Sequence, residues 1–261
     1  VQRDKVQNGP MVSVIIPVLN DAELLRSLLE RLEAEPSPLE IIVADGGSYD
    51  LSPELKDRFP SVRWTTTAPG RGRQMNAGAR LARGEVLLFL HCDTHAPTGR
   101  IAELPALLAA GNADFGAFRI CFDPPVWLPR LLAQATRLAH PWTCFGDQAI
   151  FARRDFFFAT GGFPEIPLLE DVHWARAAGK QGRMVRSRHA VISSARRFEK
   201  IGTVRQSWRN LSILIRDLFG QNPEQLARLY DKDYRDAAPL PATRSIHTGR
   251  LPAEGRPLTR G

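Results

Sequence analysis

The sequence predicts an α/β fold: a Rossmann-like, mostly parallel central sheet flanked by helices. Three observations predict it. Strand-like and helix-like segments alternate through the first 95 residues, the grammar of a doubly wound sheet. One strand, Val86 to Thr94 (V-L-L-F-L-H-C-D-T), carries five apolar residues straight into His91, Cys92 and Asp93. A run apolar throughout suits a strand buried on both faces. Its polar end then falls at the carboxyl edge, where open α/β sheets take ligands. Third, the second strand also closes on an acid, Asp45-Gly46-Gly47, and paired glycines let a ligand approach the backbone.

Each element has a local reason. Met11 to Ile16 is apolar and β-branched, a first strand ended by Pro17. Asn20 caps the helix that follows, with Glu23 three residues on, and Leu24, Leu25, Leu28, Leu29 and Leu32 supply its period. Leu39 to Ala44 is the second strand. Ser52-Pro53 opens a short helix, and Val62 to Thr66 is the third strand. Gly70-Arg71-Gly72-Arg73 is a basic, glycine-rich turn opening a helix to about Ala82, a plausible phosphate cradle. The fourth strand runs to Asp93, whose carboxylate suits either a hard divalent cation or a polar turn.

Farther on, Ile101 to Ala110 reads as a helix, Ala113 to Phe122 as a strand, and Val126 to Ala139 as a helix. Gly146-Asp147-Gln148 precedes a strand from Ala149 to Ala152, and Gly161-Gly162-Phe163-Pro164 is a turn. Glu170-Asp171 opens a helix to about Ala178. Those acids suit catalysis, or the positive end of the helix dipole. Met184-Val185 and Ala190 to Ser193 read as two short strands. Thr203 to Phe219 is a basic amphipathic helix with Trp208, Leu211, Leu214, Ile215 and Leu218 on its apolar positions, and a last helix starts at Pro223.

Composition narrows the function classes. With 261 residues, 43% of them hydrophobic, the chain can bury a large core without disulfides. Its three cysteines, Cys92, Cys121 and Cys144, form no C-x-x-C pair, which argues against zinc and for a reducing compartment. The first ten residues hold no signal-peptide core, and no run approaches a membrane span. These features predict a cytoplasmic location. A net charge of +7 favours anionic partners, and the excess is concentrated between Arg176 and Arg216. Neither a G-x-G-x-x-G after the first strand nor a P-loop is present, which excludes the common dinucleotide and triphosphate cradles.

Seven motifs in order resemble family 2 glycosyltransferases of the GT-A type. They are V-S-V-I-I-P-V-L-N-D, I-I-V-A-D-G-G-S-Y-D, G-R-G-R-Q-M-N-A-G-A, L-L-F-L-H-C-D-T, G-D-Q, G-G-F-P and L-L-E-D-V. The third and fourth look like a small, soluble bacterial subgroup. The resemblance implies a GT-A domain over residues 11–230, with a nucleotide-binding half (11–97), an acceptor and catalytic half (98–200) and C-terminal amphipathic helices (201–230). Residues 231–261 read as a flexible tail. It implies a nucleoside-diphosphate sugar donor, a divalent cation (Mn2+ or Mg2+) and inversion at the anomeric carbon. Residue by residue, Pro17, Asn20 and Asp21 would lie beside the nucleotide. Asp45 would bond the base, and Arg71, Arg73 and Asn76 would line the nucleotide and diphosphate. Asp93 would ligate the metal, and Asp171, beside Glu170, would be the catalytic base.

Two departures qualify the resemblance. His91 stands where the first acid of D-x-D belongs; it could ligate the cation or donate to a ribose hydroxyl, with His189 as a further metal ligand. Arg196-Arg197-Phe198 replaces the Q-x-x-R-W box, which argues against processive polymer synthesis. Asp147, Gln148 and Trp142 are candidate acceptor contacts, the acceptor being a sugar, a lipid-linked molecule or a small hydroxyl compound. A nucleotidyltransferase would want a glycine- and lysine-rich loop where Val18-Leu19-Asn20 stands. A non-catalytic basic module draws support from the Arg176–Arg216 run, but no nucleic-acid motif accompanies it. Peripheral contact with the inner membrane face through the Trp208 helix fits the transferase reading.

Overall fold

In a computed structural model, residues 12–51, 53–123 and 138–235 are described. The first half alternates as expected: β1 (Val12–Val18), α1 (Ala22–Glu33), β2 (Glu40–Asp45), α2 (Pro53–Arg58), β3 (Arg63–Thr66), α3 (Arg71–Leu81) and β4 (Val86–Phe89). After a two-residue β5 (Thr94–His95) and α4 (Leu104–Ala110), β6 (Phe115–Asp123) and β7 (Ile150–Arg153) extend the sheet. Then come α5 (Arg154–Ala159), α6 (Glu170–Ala178), β8 (Met184–Ser194), α7 (Arg196–Ile201), α8 (Thr203–Leu218) and α9 (Pro223–Arg235).

Eight strands form one sheet in the order β3-β2-β1-β4-β7-β6-β8-β5 among the described residues. β1 pairs in parallel with β2 and β4, β2 with β3, and β6 with β8. β7 runs antiparallel to both β4 and β6, and β5 antiparallel to β8. Six strands therefore point one way. The carboxyl ends of β1, β2, β4, β6 and β8, and the entry to β7, share one edge.

Strand alternation sorts the core into two layers. Val14, Ile16 and Val18 face α1, packing with Leu25, Leu28, Leu29 and Phe118. Ile15 faces the other way, into a layer with Met75, Phe89, Phe157, Phe163 and Trp174. Helix α3 lies so close to β1 that a Cβ on Gly78 would fall 2.5 Å from Ile15 Cγ2.

Several boundaries differ from the sequence reading. Pro17 lies inside β1 and pairs with Ala44. Ile15 O accepts from Leu90 N on the β4 side. β4 ends at Phe89, so the missing N–H of Pro17 points past the end of its neighbour and costs no ladder bond. Helix α1 is not capped by Asn20: its N-cap is Asp21, which makes no side-chain cap bond, and Asp50 Oδ2 accepts from Ala22 N at 3.0 Å. Helix α4 starts at Leu104, not Ile101. The two short strands expected at 184–193 are one, β8, whose polar middle bulges: three residues of β6, Ala117 to Arg119, face five of β8, Arg186 to Ala190. Helix α5, with its three consecutive phenylalanines, was not expected. α9 continues to Arg235, past the expected start of the tail. The helix expected at 126–139 and the rest of the tail lie outside the described residues, apart from Leu138 and Ala139.

Candidate active site

Four segments meet at the carboxyl edge. Arg71 opens α3, and Glu170 and Asp171 open α6. Asp93 follows β4, and Gly146-Asp147 leads into β7. Arg71 Nε lies 3.1 Å from Glu170 Oε1, whose side chain is 2% exposed against 43% for the arginine. Burial opposes the guanidinium charge, but Glu170, Asp171, Tyr230 and Asp93 more than offset this and raise its pKa above the ordinary value. Asp147 is pushed up to about 7, first by burial and then by Asp171 and Asp93, with Arg71 opposing. Glu170 is also raised, by burial first, with Arg71 opposing and Asp171 adding to it. Four carboxyls thus face one arginine.

Gly146 is where the segments touch. Its N–H donates to Asp171 Oδ2. A Cβ there would stand 2.8 Å from that oxygen and 3.1 Å from His91 Nε2, so only glycine fits between the imidazole and the carboxylate. Asp171 Oδ1 accepts from Val172 N at 2.7 Å. The helix bearing these acids starts from Leu169 at φ 65°, a left-handed conformation that turns the chain sharply into α6.

Other expected site residues have different surroundings. Asp45 is buried, and its Oδ1 accepts from Gly47 N (3.1 Å), Ser48 N (2.8 Å) and Ser48 Oγ (2.7 Å), closing its own turn. Asn20, at φ 55°, accepts from Tyr49 N through Oδ1 at 3.1 Å, which joins the β1 and β2 loops. Arg73 Nε pairs with Glu165 at 2.9 Å on the surface. Trp142 is half exposed, with the Arg176 guanidinium 4.3 Å from its ring centroid.

Three further candidates have contacts of their own. Asn76 is buried, and both ends of its amide hold Phe163: Nδ2 donates to its carbonyl at 2.7 Å and Oδ1 accepts from its N–H at 3.0 Å. It ties α3 to the G-G-F-P turn. Gln148 is 1% exposed, and its Oε1 accepts from Arg186 at 2.6 Å, so it supports the Gly146-Asp147 segment from beneath. His189 is separated from Asp93. Asp93 O accepts from Ser194 N, and His189 lies five residues back along β8, on the order of 15 Å at strand spacing. His189 stands 3.9 Å from Glu103 instead.

The sequence reading also missed residues that build the site. Gln74 is buried and donates to Val18 O (2.7 Å) and Ala44 O (2.9 Å), clamping the ends of β1 and β2. Arg186 donates to Phe118 O, Gln148 Oε1, and Thr143 O and Oγ1, holding the segment that carries Gly146. The available signal for Gln74 was an amide side chain two residues before Asn76 on the same helix.

A family model described as Glycosyl transferase family 2 matches residues 13–159, more than half of the chain. The chain belongs to glycosyl transferase family 2. Among relatives in this family, a PGL/p-HBAD biosynthesis glycosyltransferase of Mycobacterium bovis is 30% identical over 210 residues, covering 73% of this chain and 78% of the relative. Glycosyltransferase AglE of Haloferax volcanii is 26% identical over 205 residues, covering 70% of this chain and 66% of AglE. Among solved structures, S. aureus TarS 1-349 in complex with UDP superposes with a TM-score of 0.59 at 16% identity, covering 70% of this chain and 60% of that one. Mannosyltransferase PcManGT from Pyrobaculum calidifontis, in complex with GDP-Man and Mn2+, gives 0.59 at 23% identity, covering 78% and 61%. The family 2 chain thus spans about two thirds of AglE and somewhat less of the two solved chains. At these identities the structural likeness concerns the fold, which is the GT-A fold expected from the seven motifs.

Whether the family 2 site suits a cation can be judged from its own residues. Asp147 Oδ1 and Glu170 Oε2 are buried with no hydrogen-bond partner. Such orphaned acceptors, in a cluster with three more acids than bases, leave negative charge that a cation would balance. No three His, Cys, Asp or Glu side chains among the described residues are grouped to hold a metal by themselves. The residues therefore fit a cation that brings further oxygen ligands with it, as one held jointly by a carboxylate and phosphates does.

Proposed function

We propose that this chain is an inverting transferase moving a sugar from a nucleoside-diphosphate sugar to a hydroxyl acceptor, with Asp171 as general base. The observation that carries the reading is the mutual electrostatic influence of Arg71, Asp93, Asp147 and Asp171, drawn from separate segments onto one sheet edge. The M. bovis relative supports sugar transfer as the reaction, and the PcManGT complex supports a nucleotide sugar and a divalent cation as its requirements.

Asp93 would hold Mn2+ or Mg2+ together with the donor's diphosphate. Bound there, the cation would offset the charge that builds on the leaving group. Arg71, kept charged by its acidic neighbours, would face the same diphosphate. Glu170 would position Arg71 through the 3.1 Å pair. Asp45, through the oxygen its turn leaves over, would read the donor base, with Pro17, Asn20 and Asp21 alongside. Arg73 would reach the donor only by leaving Glu165. His91, beside Gly146, would donate to the donor. Asp147 and the exposed Trp142 would meet the acceptor.

In the transfer, the acceptor oxygen attacks the anomeric carbon from the face opposite the diphosphate. The carbon–oxygen bond to the diphosphate breaks as the new one forms, and the acceptor proton passes to Asp171. Its hydrogen bonds from Gly146 N and Val172 N aim it before that step.

The test is calorimetry with UDP and GDP, with and without Mn2+, on the intact chain and two variants, beside turnover of the matching sugar donors. Asp93→Ala should lose cation-dependent nucleotide affinity. Asp171→Asn should bind the nucleotide as tightly as the parent yet lose transfer. Unchanged cation-dependent binding in the first, or full turnover in the second, would refute the corresponding assignment.

A further inference from the structure

Helix α8 is built inside out. Val204, Trp208, Leu211, Ile215, Leu218 and, just past its end, Phe219 are all exposed, from 43% for Ile215 to 87% for Phe219. At about 100° per residue these six positions fall within a single arc of about 100°. The opposite face is the buried one, and it is largely polar: Gln206 and Arg209, with Ile213 the apolar exception, while buried Ser207 borders the arc beside Leu218. Asp217 is on that side too, with a 4% exposed side chain that accepts from Arg176 at 2.8 Å and lies 2.6 Å from His173 Nε2. A helix on a water-facing surface shows the reverse distribution.

The charges beside the stripe are of one sign. Arg205 and Arg216 are exposed and fall about 100° and 120° around the helix from Val204, next to the apolar arc. The helix's one acid, Asp217, is turned inward to α6. An apolar stripe holding Trp and Phe, with arginines beside it, matches a bilayer interface, where rings and aliphatic side chains enter the acyl boundary and the basic groups meet lipid phosphates. It matches a second copy of this chain poorly. Two such helices packed stripe to stripe would bring their arginines together in a protein of net charge +7.

We infer that the outward face of α8 is a docking surface for an anionic lipid bilayer, with the helix lying in the plane of the interface. Helix α6 is fastened to the inner side of α8 through Asp217, so the helix that begins with Glu170 and Asp171 would sit about one helix diameter, ~10 Å, behind the docked one. A membrane-borne acceptor would then meet the site without the chain inserting a span; no helix among the described residues is long and apolar enough to cross a bilayer.

The experiment is co-sedimentation of the full chain with vesicles of phosphatidylcholine alone, or with added phosphatidylglycerol. Two variants accompany it: a triple, Trp208→Ser with Leu211→Ser and Ile215→Ser, and a double, Arg205→Glu with Arg216→Glu. Every altered residue is exposed. The parent should bind the phosphatidylglycerol vesicles at low salt, and both variants should bind about tenfold more weakly or worse. Absence of parent binding, or equal binding by the triple variant, overturns the proposal. So does a parent dimer that the triple variant dissociates while neither binds vesicles. UDP and GDP affinity with Mn2+, measured on the same samples, reads the donor site separately: it should be equal in all three proteins, so either conclusion can fail without the other.

Discussion

Replacing Gly146 with alanine perturbs the proposed reaction through a single methyl group. The new Cβ would lie 2.8 Å from Asp171 Oδ2, 3.1 Å from His91 Nε2 and 3.5 Å from Asp171 Cβ, where ordinary contact begins at 3.4 Å. The carboxylate must therefore retreat by roughly 0.6 Å and the imidazole by roughly 0.3 Å. Retreat also weakens the hydrogen bond from Gly146 N that aims the base. A misplacement of about 1 Å can cost ~100-fold in rate, so about half that distance should cost ~10-fold or somewhat more. The stability cost should be modest, about 1–2 kcal/mol. Turnover of a nucleotide sugar, nucleotide affinity by calorimetry and thermal melting, run together, separate the effects. The expected pattern is a rate down about tenfold, affinity within about twofold and a small loss in Tm. Turnover equal to the parent's would falsify the assignment of Asp171 as the reacting base.

Two further outcomes follow from interactions away from the reacting groups. Glu40 accepts from Ser13 Oγ, Arg83 N and Arg63 Nη1. Burial pushes its carboxyl up, but these donors more than offset this and hold it below its usual value of 4.5. A depressed folded pKa stabilises above the unfolded value and loses that contribution as pH falls through the folded one. Glu40→Gln should thus cost about 1–2 kcal/mol near neutral pH, and urea titrations across pH should show the gap closing as the pH falls below the usual value and through the depressed one. Arg186→Met strips donors from Phe118 O, Gln148 and Thr143 at once, and should cost about 3 kcal/mol, or roughly 6–12 °C in Tm. It should also speed proteolytic nicking near Thr143; an unchanged melting curve would show that the clamp contributes little.

β1, β2 and β4 could be read from the chain because each is an apolar run closed by turn residues; β3, R-W-T-T, offered only a short β-branched and aromatic stretch. The partial failures came from elsewhere. β8 was read as two pieces because Arg186, Ser187, Arg188 and His189 interrupt its apolar pattern, and only the pairing with β6 shows that they bulge out of one strand. The reversed direction of β7 leaves no mark in its four residues. Asp45, Asp93, Glu170 and Asp171 stood out as acids at element ends, which is where sheet topology gathers groups. The contact of Asn76 was not legible because a polar side chain in a glycine-rich segment suggests a ligand, whereas its partner, Phe163, is 87 positions away. Pairings that distant depend on the packing of α3 against the later turn, which no local pattern encodes. The position of His189 was illegible for another reason: its chemistry suits a cation, but only the strand pairing shows that it stands beside Glu103.

The reversal of β7 has a consequence of its own. Its neighbours deliver their loops to the shared rim as they leave the sheet, whereas β7 delivers the stretch that enters it. That wall can lengthen, shorten or change its side chains while the ladders of β1, β2 and β4 keep every rung. Grafting the entering stretch from one such protein onto another would then retailor one side of the cleft and leave the other as it was.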